Sequence, residues 1–220
     1  MESSGTWDVV WSNRELFTSG LWATVLLSLA AIGTGTALGI VVAAVRTSRI
    51  PVLAQLARVY LEIFRGTPLL IQLLFLYFGA AYLDIAGITV FGAALLALTL
   101  YEGAYIAEIF RSGIEAVPRG QWEAARVLGL GRVRSFVSVV LPQTRAIVLP
   151  PLVGQYLSLV KDTSIAVVIG YVELLRQGQA VVDRVGHPGA AYLAVAVLYF
   201  VICYPLSLVV RRMERKAVVA

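Results

Sequence analysis

Two stretches without a single charged residue, Leu21–Val45 and Ala190–Val210, dictate most of what this chain can fold into. About twenty predominantly apolar residues are what an α-helix needs to cross the hydrocarbon core of a bilayer. Lipid supplies no hydrogen-bond partners, so a spanning segment is either a helix or a strand of a closed barrel. Barrel strands alternate apolar and polar residues in short segments, and neither stretch alternates. The expected fold is an all-α integral membrane protein. Composition agrees: the 220 residues are 59% hydrophobic and 14% charged, with mean hydropathy +0.83. That leaves too few polar side chains to coat a soluble domain of this length.

A net charge of +5 and a pI near 9.6 raise the question of nucleic acid. The basic residues gather at the ends of apolar runs, where membrane topology places them, and no dense Lys/Arg tract interleaved with aromatics occurs. Nucleic acid is not an expected partner; membrane lipid is. The single cysteine, Cys203, sits in an apolar run and forms no intrachain disulfide. Met1–Asp8 is acidic and polar, without the basic start of a cleavable signal, so the first run is expected to be a retained anchor.

Five spans are expected, at roughly 20–45, within 52–80 (firmly apolar from Pro68), about 88–115, about 135–160 and about 190–210. Ser164–Gly170 is apolar but too short to cross, and reads as a re-entrant or interfacial helix. Arg46, Arg49, Arg119, Arg126, Arg132, Arg134, Arg211, Arg212, Arg215 and Lys216 fall on one side; Arg14, Arg176 and Arg184 fall on the other. That asymmetry puts the 117–135 loop and the C-terminus in the cytoplasm, and an odd span count puts the N-terminus outside. A 20–216 transmembrane domain thus follows a 1–19 extracytoplasmic segment. In that segment Trp7, Val10, Trp11, Leu16 and Phe17 suit either an interfacial helix or a disordered leader.

Ionisable residues inside spans are costly and point to function. Arg58, Glu62 and Arg65 share one helical face and are placed to pair, as are Glu108, Arg111 and Glu115. Both trios equally suit simple neutralisation near a helix end. Glu102 precedes Pro118 by sixteen residues, ~24 Å of helix, and has no basic residue one turn away. Its partner must come from another helix, a subunit or a ligand. Lys161 and Asp162 stand between apolar Leu157–Val160 and Ile165–Ile169. They suit either the two charges of a zwitterion or mutual neutralisation at the outer interface. Pro68, Pro142, Pro150 and Pro151 are expected to kink spans two and four and free backbone carbonyls.

Pro118–Gly131 reads PRGQWEAARVLGLG. The pattern predicts a short helix over Gln121–Leu128 with Ala124 and Ala125 together on one side, stopped by Gly129 and Gly131. A small-faced helix of this kind enters a partner's groove without steric conflict. Glu123-Ala124-Ala125, then Gly129, Val139 and Leu141-Pro142 resembles the EAA motif of ABC-importer permeases, with Val139 where the motif has isoleucine. Glu62–Gln72, Ala104–Arg111, Lys161–Ser164 and the stretch from Tyr199 through Arg215 are similar to the polar amino-acid branch (histidine, glutamine, arginine). The resemblance runs from about residue 18 to 216. Tyr101-Glu102-Gly103 departs from it, where small or hydroxylated residues are expected.

This resemblance implies a type I ABC-importer transmembrane domain of five helices in the bacterial cytoplasmic membrane. It implies two ATP-binding subunits, a second permease (identical or homologous) and an extracytoplasmic solute-binding protein. Arg119, Gln121, Glu123, Ala124, Ala125 and Gly129 would couple to the ATPase. Glu62, Arg65, Thr67, Gln72, Glu102, Glu108, Lys161, Asp162 and Ser164 are candidates for the substrate pathway. The chain carries no phosphate-binding glycine-lysine loop, so ATP and Mg are expected on the partner and no cofactor here. A passive pore would need continuous polar rows on several spans. A membrane enzyme would need a His/Asp or Cys/His cluster, yet the one histidine, His187, lies in an outer loop. A relative that imports an opine, an amine or a sulfur amino acid is the nearest alternative.

Overall fold

The structure, a computed structural model, describes residues 6–47, 50–85 and 87–219, without the side chains of residues 6, 7 and 216–219. Arg49 and the charge of Lys216, both used above for orientation, lie outside what it describes. The chain forms α1 (Thr6–Ser12), α2 (Arg14–Arg46), α3 (Pro51–Gly66), α4 (Leu69–Tyr82) and α5 (Val90–Glu115). It continues with α6 (Arg119–Val127), α7 (Arg132–Ser135), a π-helical turn Phe136–Val140 and α8 (Leu141–Asp162). A 3₁₀ helix Thr163–Ile169, α9 (Leu174–Val185) and α10 (Pro188–Val219) complete it, with no strand among the described residues. Among the described residues four stretches are long and apolar enough to cross a bilayer: Arg14–Arg46, Val90–Glu115, Arg132–Ile169 and Pro188–Arg215. The expected second span is not one straight helix. It is the pair α3–α4, bent by 108° at Gly66–Pro68, and counts as the fifth crossing only as a broken span.

The longest interface joins α2 to α5, and its residues explain how close the two helices come. Ala31, Gly35, Gly39 and Ala43 recur every fourth residue and are all buried, giving α2 a stripe of small side chains. A Cβ placed on Gly35 would lie 2.9 Å from Glu102 Cβ, and one on Gly39 would lie 2.6 Å from Ile106 Cγ2. On α5, a Cβ on Gly103 would lie 2.8 Å from Leu38 Cδ2. Without a hydrophobic driving force in lipid, helices associate through such close packing. The adjoining core gathers Leu27, Leu69, Leu73, Ala94, Ala97 and Leu159 from α2, α4, α5 and α8. By contrast only 11% of the most apolar window of α10 is buried, so its outer surface needs lipid or another subunit.

The α3–α4 corner has a local cause. Pro68 cannot continue a helix and forces the residue before it into extended backbone; Thr67 has φ −121°, ψ 148°. The freed acceptors are met by Gln72, whose Nε2 donates to Phe64 O at 2.9 Å, Thr67 O at 3.0 Å and Thr67 Oγ1 at 2.8 Å. Gln72 is buried and its contacts at the corner are part-buried. Gln72→Leu is expected to cost about 0.5–1.5 kcal/mol by removing these hydrogen bonds. The check is a lower thermal midpoint in detergent, with Leu70→Ala, on the exposed side of α4, as the comparison.

The prolines of the fourth span do not interrupt its helix. Pro142, Pro150 and Pro151 all lie within α8, which runs unbroken past them. The π-turn Phe136–Val140 directly precedes Pro142 and gives its ring room against the preceding turn. Gln143 Nε2 donates to Val139 O at 2.8 Å and Thr144 Oγ1 to Val140 O at 2.9 Å, side-chain contacts onto the backbone beside Pro142. The segment after Asp162, expected as a re-entrant or short interfacial helix, continues directly from α8. It tightens to 3₁₀ geometry, buries Ala166 and Ile169 in the main core, and ends at Gly170 with φ +85°.

At the other end, α2 starts at Arg14 rather than near residue 20, and α1 packs Val9 against α10 beside Phe17. The described part of the N-terminal segment is helical, which removes the disordered-leader reading there. Helix α9 was not anticipated. Fully buried Glu173 caps it, accepting from Leu175 N and Arg176 N at 2.9 Å each, and from Tyr199 Oη at 2.7 Å. Burial pushes this carboxyl above the ordinary range, while those donors pull it back.

Candidate functional site

Helix α6 stands on the arginine-rich side of the chain and runs Arg119–Val127, shorter at its end than the expected Gln121–Leu128. Leu128 N donates to Ala124 O, Gly129 N to Arg126 O and Leu130 N to Ala125 O, with Gly129 at φ +75°. That left-handed residue closes the helix in the way the glycine predicts. Ala124 and Ala125 do not share a side. Successive residues are about 100° apart around a helix; Ala125 is 2% exposed and faces inward, whereas Ala124 is exposed. Trp122 stacks on Phe136 at 6.3 Å, and Gln143 Nε2 donates to Gln121 Oε1 at 3.3 Å, which ties the loop to the fourth span.

The outer surface of this loop exposes apolar side chains. Val127, Leu128 and Val133 are 88%, 78% and 77% exposed, an apolar patch on a loop that otherwise carries charge. Beside it an open groove of about 730 Å³ is lined by Arg119, Trp122, Glu123, Arg126, Arg132 and Ser135. Clustered exposed apolar side chains rimmed by charge mark a protein interaction surface. The arrangement offers shape, two signs of charge and a rigid connection to α8, but no catalytic constellation.

Near the same side of the membrane, Glu108 sits among three arginines. Arg46 lies 2.8 Å and Arg65 3.7 Å from its Oε2, and Arg111 pairs with both Glu108 and Glu115. The second trio thus pairs as expected; the first does not. Among the described residues Arg58, Glu62 and Arg65 form no ion pair with one another, because Arg65 turns to Glu108 and lies 5.5 Å over the Tyr105 ring.

Glu102 is completely buried, and Gly35 on α2 leaves the space for it. Its Oε1 accepts from Gln155 Nε2 at 3.1 Å, and its Oε2 has no partner among the described residues. Gln155 stands seven residues before Asp162, two turns along the same face of α8. Around this level Tyr101 and Tyr105 meet at 3.3 Å between hydroxyls, and Tyr156 Oη meets Thr36 Oγ1 at 2.8 Å. Asp162 is half-buried and Lys161 exposed, with no ion pair between them among the described residues.

Of the expected pathway residues, the fold brings Arg65 and Glu108 together and sets Glu102 apart from them. Thr67 and Gln72 close the α3–α4 corner, and Ser164 Oγ donates to Lys161 O within its own turn. Glu62 is exposed. Sequence reading missed Gln155, Tyr105, Tyr156 and Arg46 as partners. Gln155 carried a signal, being an amide inside an apolar run in helical register with Asp162. The pairing of Arg46 with Glu108 joins residues from different spans and had none.

Comparison with known proteins bears on the whole chain. Residues 35–219 match the family described as binding-protein-dependent transport system inner membrane component. The glutamine transport system permease protein GlnP of Escherichia coli K12 is 35% identical over 212 residues, covering 96% of each chain. The L-cystine transport system permease protein TcyB of Bacillus subtilis is 34% identical over 212 residues, covering 96% of this chain and 90% of its own. A crystal structure of an amino acid ABC transporter with histidines superposes with a TM-score of 0.89 at 35% identity, over 94% of this chain and 96% of that one. With a helical membrane fold and a family match over most of its length, this chain belongs to the inner membrane components of binding-protein-dependent transport systems.

Proposed function

We propose that this chain is the permease subunit of an ATP-driven importer for a polar amino acid, seated in the cytoplasmic membrane of a bacterium. Residues 20–216 form the permease domain, with residues 1–19 on the outer face. The observation that carries the coupling is α6: a short helix fixed to α8 through Trp122 and Gln143, presenting exposed Val127, Leu128 and Glu123. Arg119, Gln121, Ala124 and Gly129 complete that surface. Two ATP-binding subunits hold ATP and Mg and grip this loop on each of two permeases. A solute-binding protein delivers the amino acid from outside. Closure of the ATPases moves the loops, and the spans rock as rigid bodies to switch access. Co-purification with an ATP-binding subunit that brings ATPase activity tests the assembly; a permease that never retains one counts against it.

The substrate is an amino acid in this reading because two relatives named for glutamine and L-cystine align along the chain. Glu102 narrows it toward a cationic side chain, since its Oε2 is buried and unpartnered among the described residues. A buried carboxyl with an open acceptor is costly unless something fills it. In this reading Lys161, Asp162 and Ser164 serve the outer end of a substrate passage and Arg65 and Glu108 its inner end. Glu102→Gln is expected to lower uptake of lysine or arginine by at least about ten-fold, one lost charge-assisted contact of ~1.5 kcal/mol or more. Glutamine uptake should change much less. Equal losses for both solutes would return Glu102 to a packing role. A sulfur amino acid is the second reading, favoured by the match to the L-cystine permease.

A further inference from the structure

The corner formed by α2, α3 and α5 holds a cavity of about 330 Å³, of whose lining the transport reading uses Arg65 and Glu108 but not Arg58. Its wall includes Arg46, Arg58, Glu62, Arg65, Gly66 and Glu108. Three guanidiniums face two carboxylates there, which leaves one positive charge. Glu108 is already engaged by Arg46, Arg65 and Arg111. Arg58 has no carboxylate within ion-pair distance among the described residues, and its side chain is exposed.

Helix α3 presents three faces. Ala57 and Leu61 are buried toward α2 and α5. Arg58, Glu62 and Arg65 form a second face along the cavity. Val52, Leu56, Val59 and Ile63 follow the i, i+4, i+7, i+11 register of one side of a helix, and all four are exposed. A charged face next to an exposed apolar face is the pattern of a helix at a membrane interface. The surplus of arginines at the ends of the spans puts this corner at the cytoplasmic leaflet.

We infer that this cavity binds the phosphate of an anionic inner-leaflet phospholipid, with its acyl chains along Val52, Leu56 and Val59. One phosphodiester carries a single negative charge and balances the single positive charge of the lining. Guanidinium is the donor best matched to phosphate geometry. Basic pockets between spans on the cytoplasmic side suit such headgroups. The apolar face supplies what a free anion would not use, so the proposal is for lipid and not for inorganic phosphate.

The test uses the full-length permease in nanodiscs of equal phosphatidylglycerol and phosphatidylcholine, followed by native mass spectrometry of the lipid that stays bound. Phosphatidylglycerol should be retained in preference. Arg58→Gln should reduce that preference about five-fold, while Arg58→Lys keeps most of it. Because Arg58 makes no ion pair among the described residues, the thermal midpoint of Arg58→Gln in phosphatidylcholine should match the parent, which separates a lost site from a lost fold. Equal retention of the two lipids by the parent, or an unchanged preference in Arg58→Gln, overturns the proposal. So does full displacement of the lipid by inorganic phosphate in detergent, which would make this a plain anion site. A membrane cross-link between two copies through Leu56→Cys, in a chain with Cys203→Ser, also overturns it by showing a second permease over the apolar face.

Discussion

Gly39→Leu is expected to remove nearly all folded protein from the membrane. Even the first carbon of a side chain at this position would meet Ile106 Cγ2 at 2.6 Å and Gly103 O at 3.1 Å. Neither neighbour has room to move: Ile106 is completely buried and Gly103 O belongs to the α5 backbone. Helices α2 and α5 would have to separate along the interface that also holds Gly35 and Glu102. Overpacking a core costs ~1–3 kcal/mol for added methylenes alone, and a shift of the central helix pair adds to that. The measurement is the monodisperse fraction after detergent extraction, with Gly33→Ala beside it. Gly33 has open space around its Cβ direction, and alanine there should be neutral or stabilise by about 0.5–1 kcal/mol. Comparable losses in both variants would mean that glycine content, not the α2–α5 contact, is what matters.

The second large effect is expected at the arginine-rich loop, and it should spare folding. Glu123 is exposed and makes no ion pair among the described residues, so Glu123→Arg removes nothing from the isolated subunit. In the proposed assembly it would reverse a charge at the docking surface. Gly129→Asp puts a carboxylate on the residue that stops α6 and asks it to hold φ +75°, a left-handed conformation that glycine adopts freely and Asp only occasionally. The last turn of α6 would then end differently and Val127 and Leu128 would point elsewhere. Central interface residues cost ~2 kcal/mol or more when disrupted, so ATP-driven uptake should fall roughly thirty-fold or more in either variant. Membrane insertion and extraction should match the parent.

Much of this architecture was legible because bilayers leave a sequence few options. Leu21–Val45 and Ala190–Val210 had to be helices, and the arginines at Arg119, Arg126, Arg132 and Arg134 had to mark one side. The glycine stop at Gly129 followed from chirality alone. Where sequence reading went astray, the competing term was tertiary. Proline predicts an interruption, yet α8 runs on past Pro142, Pro150 and Pro151, with a π-turn just before the first of them. At Pro68 the same residue type turns the chain by 108°, since Gln72 is placed to satisfy the corner. Ion pairing followed proximity between helices rather than spacing within one, so Arg65 chose Glu108 over Glu62.

The polar cluster shows the same limit from the functional side. That Glu102 lacks a partner on its own helix was readable, but that Gln155 supplies one hydrogen bond and leaves Oε2 open was not. Helix α9 was hidden because its anchor, Glu173, draws its donors from Leu175, Arg176 and Tyr199 at once. Charge inside an apolar chain announces that a partner exists; only the fold says which one.

The central claim is that α6 transmits ATP hydrolysis to the spans. It is tested most directly by measuring ATPase rate and amino-acid uptake together in proteoliposomes that hold this permease, its ATP-binding subunits and its solute-binding protein. The account predicts ATP-dependent uptake in the parent, and in Gly129→Asp a fall in solute moved per ATP hydrolysed, with the permease still inserted. Uptake per ATP in Gly129→Asp and Glu123→Arg equal to the parent would contradict it.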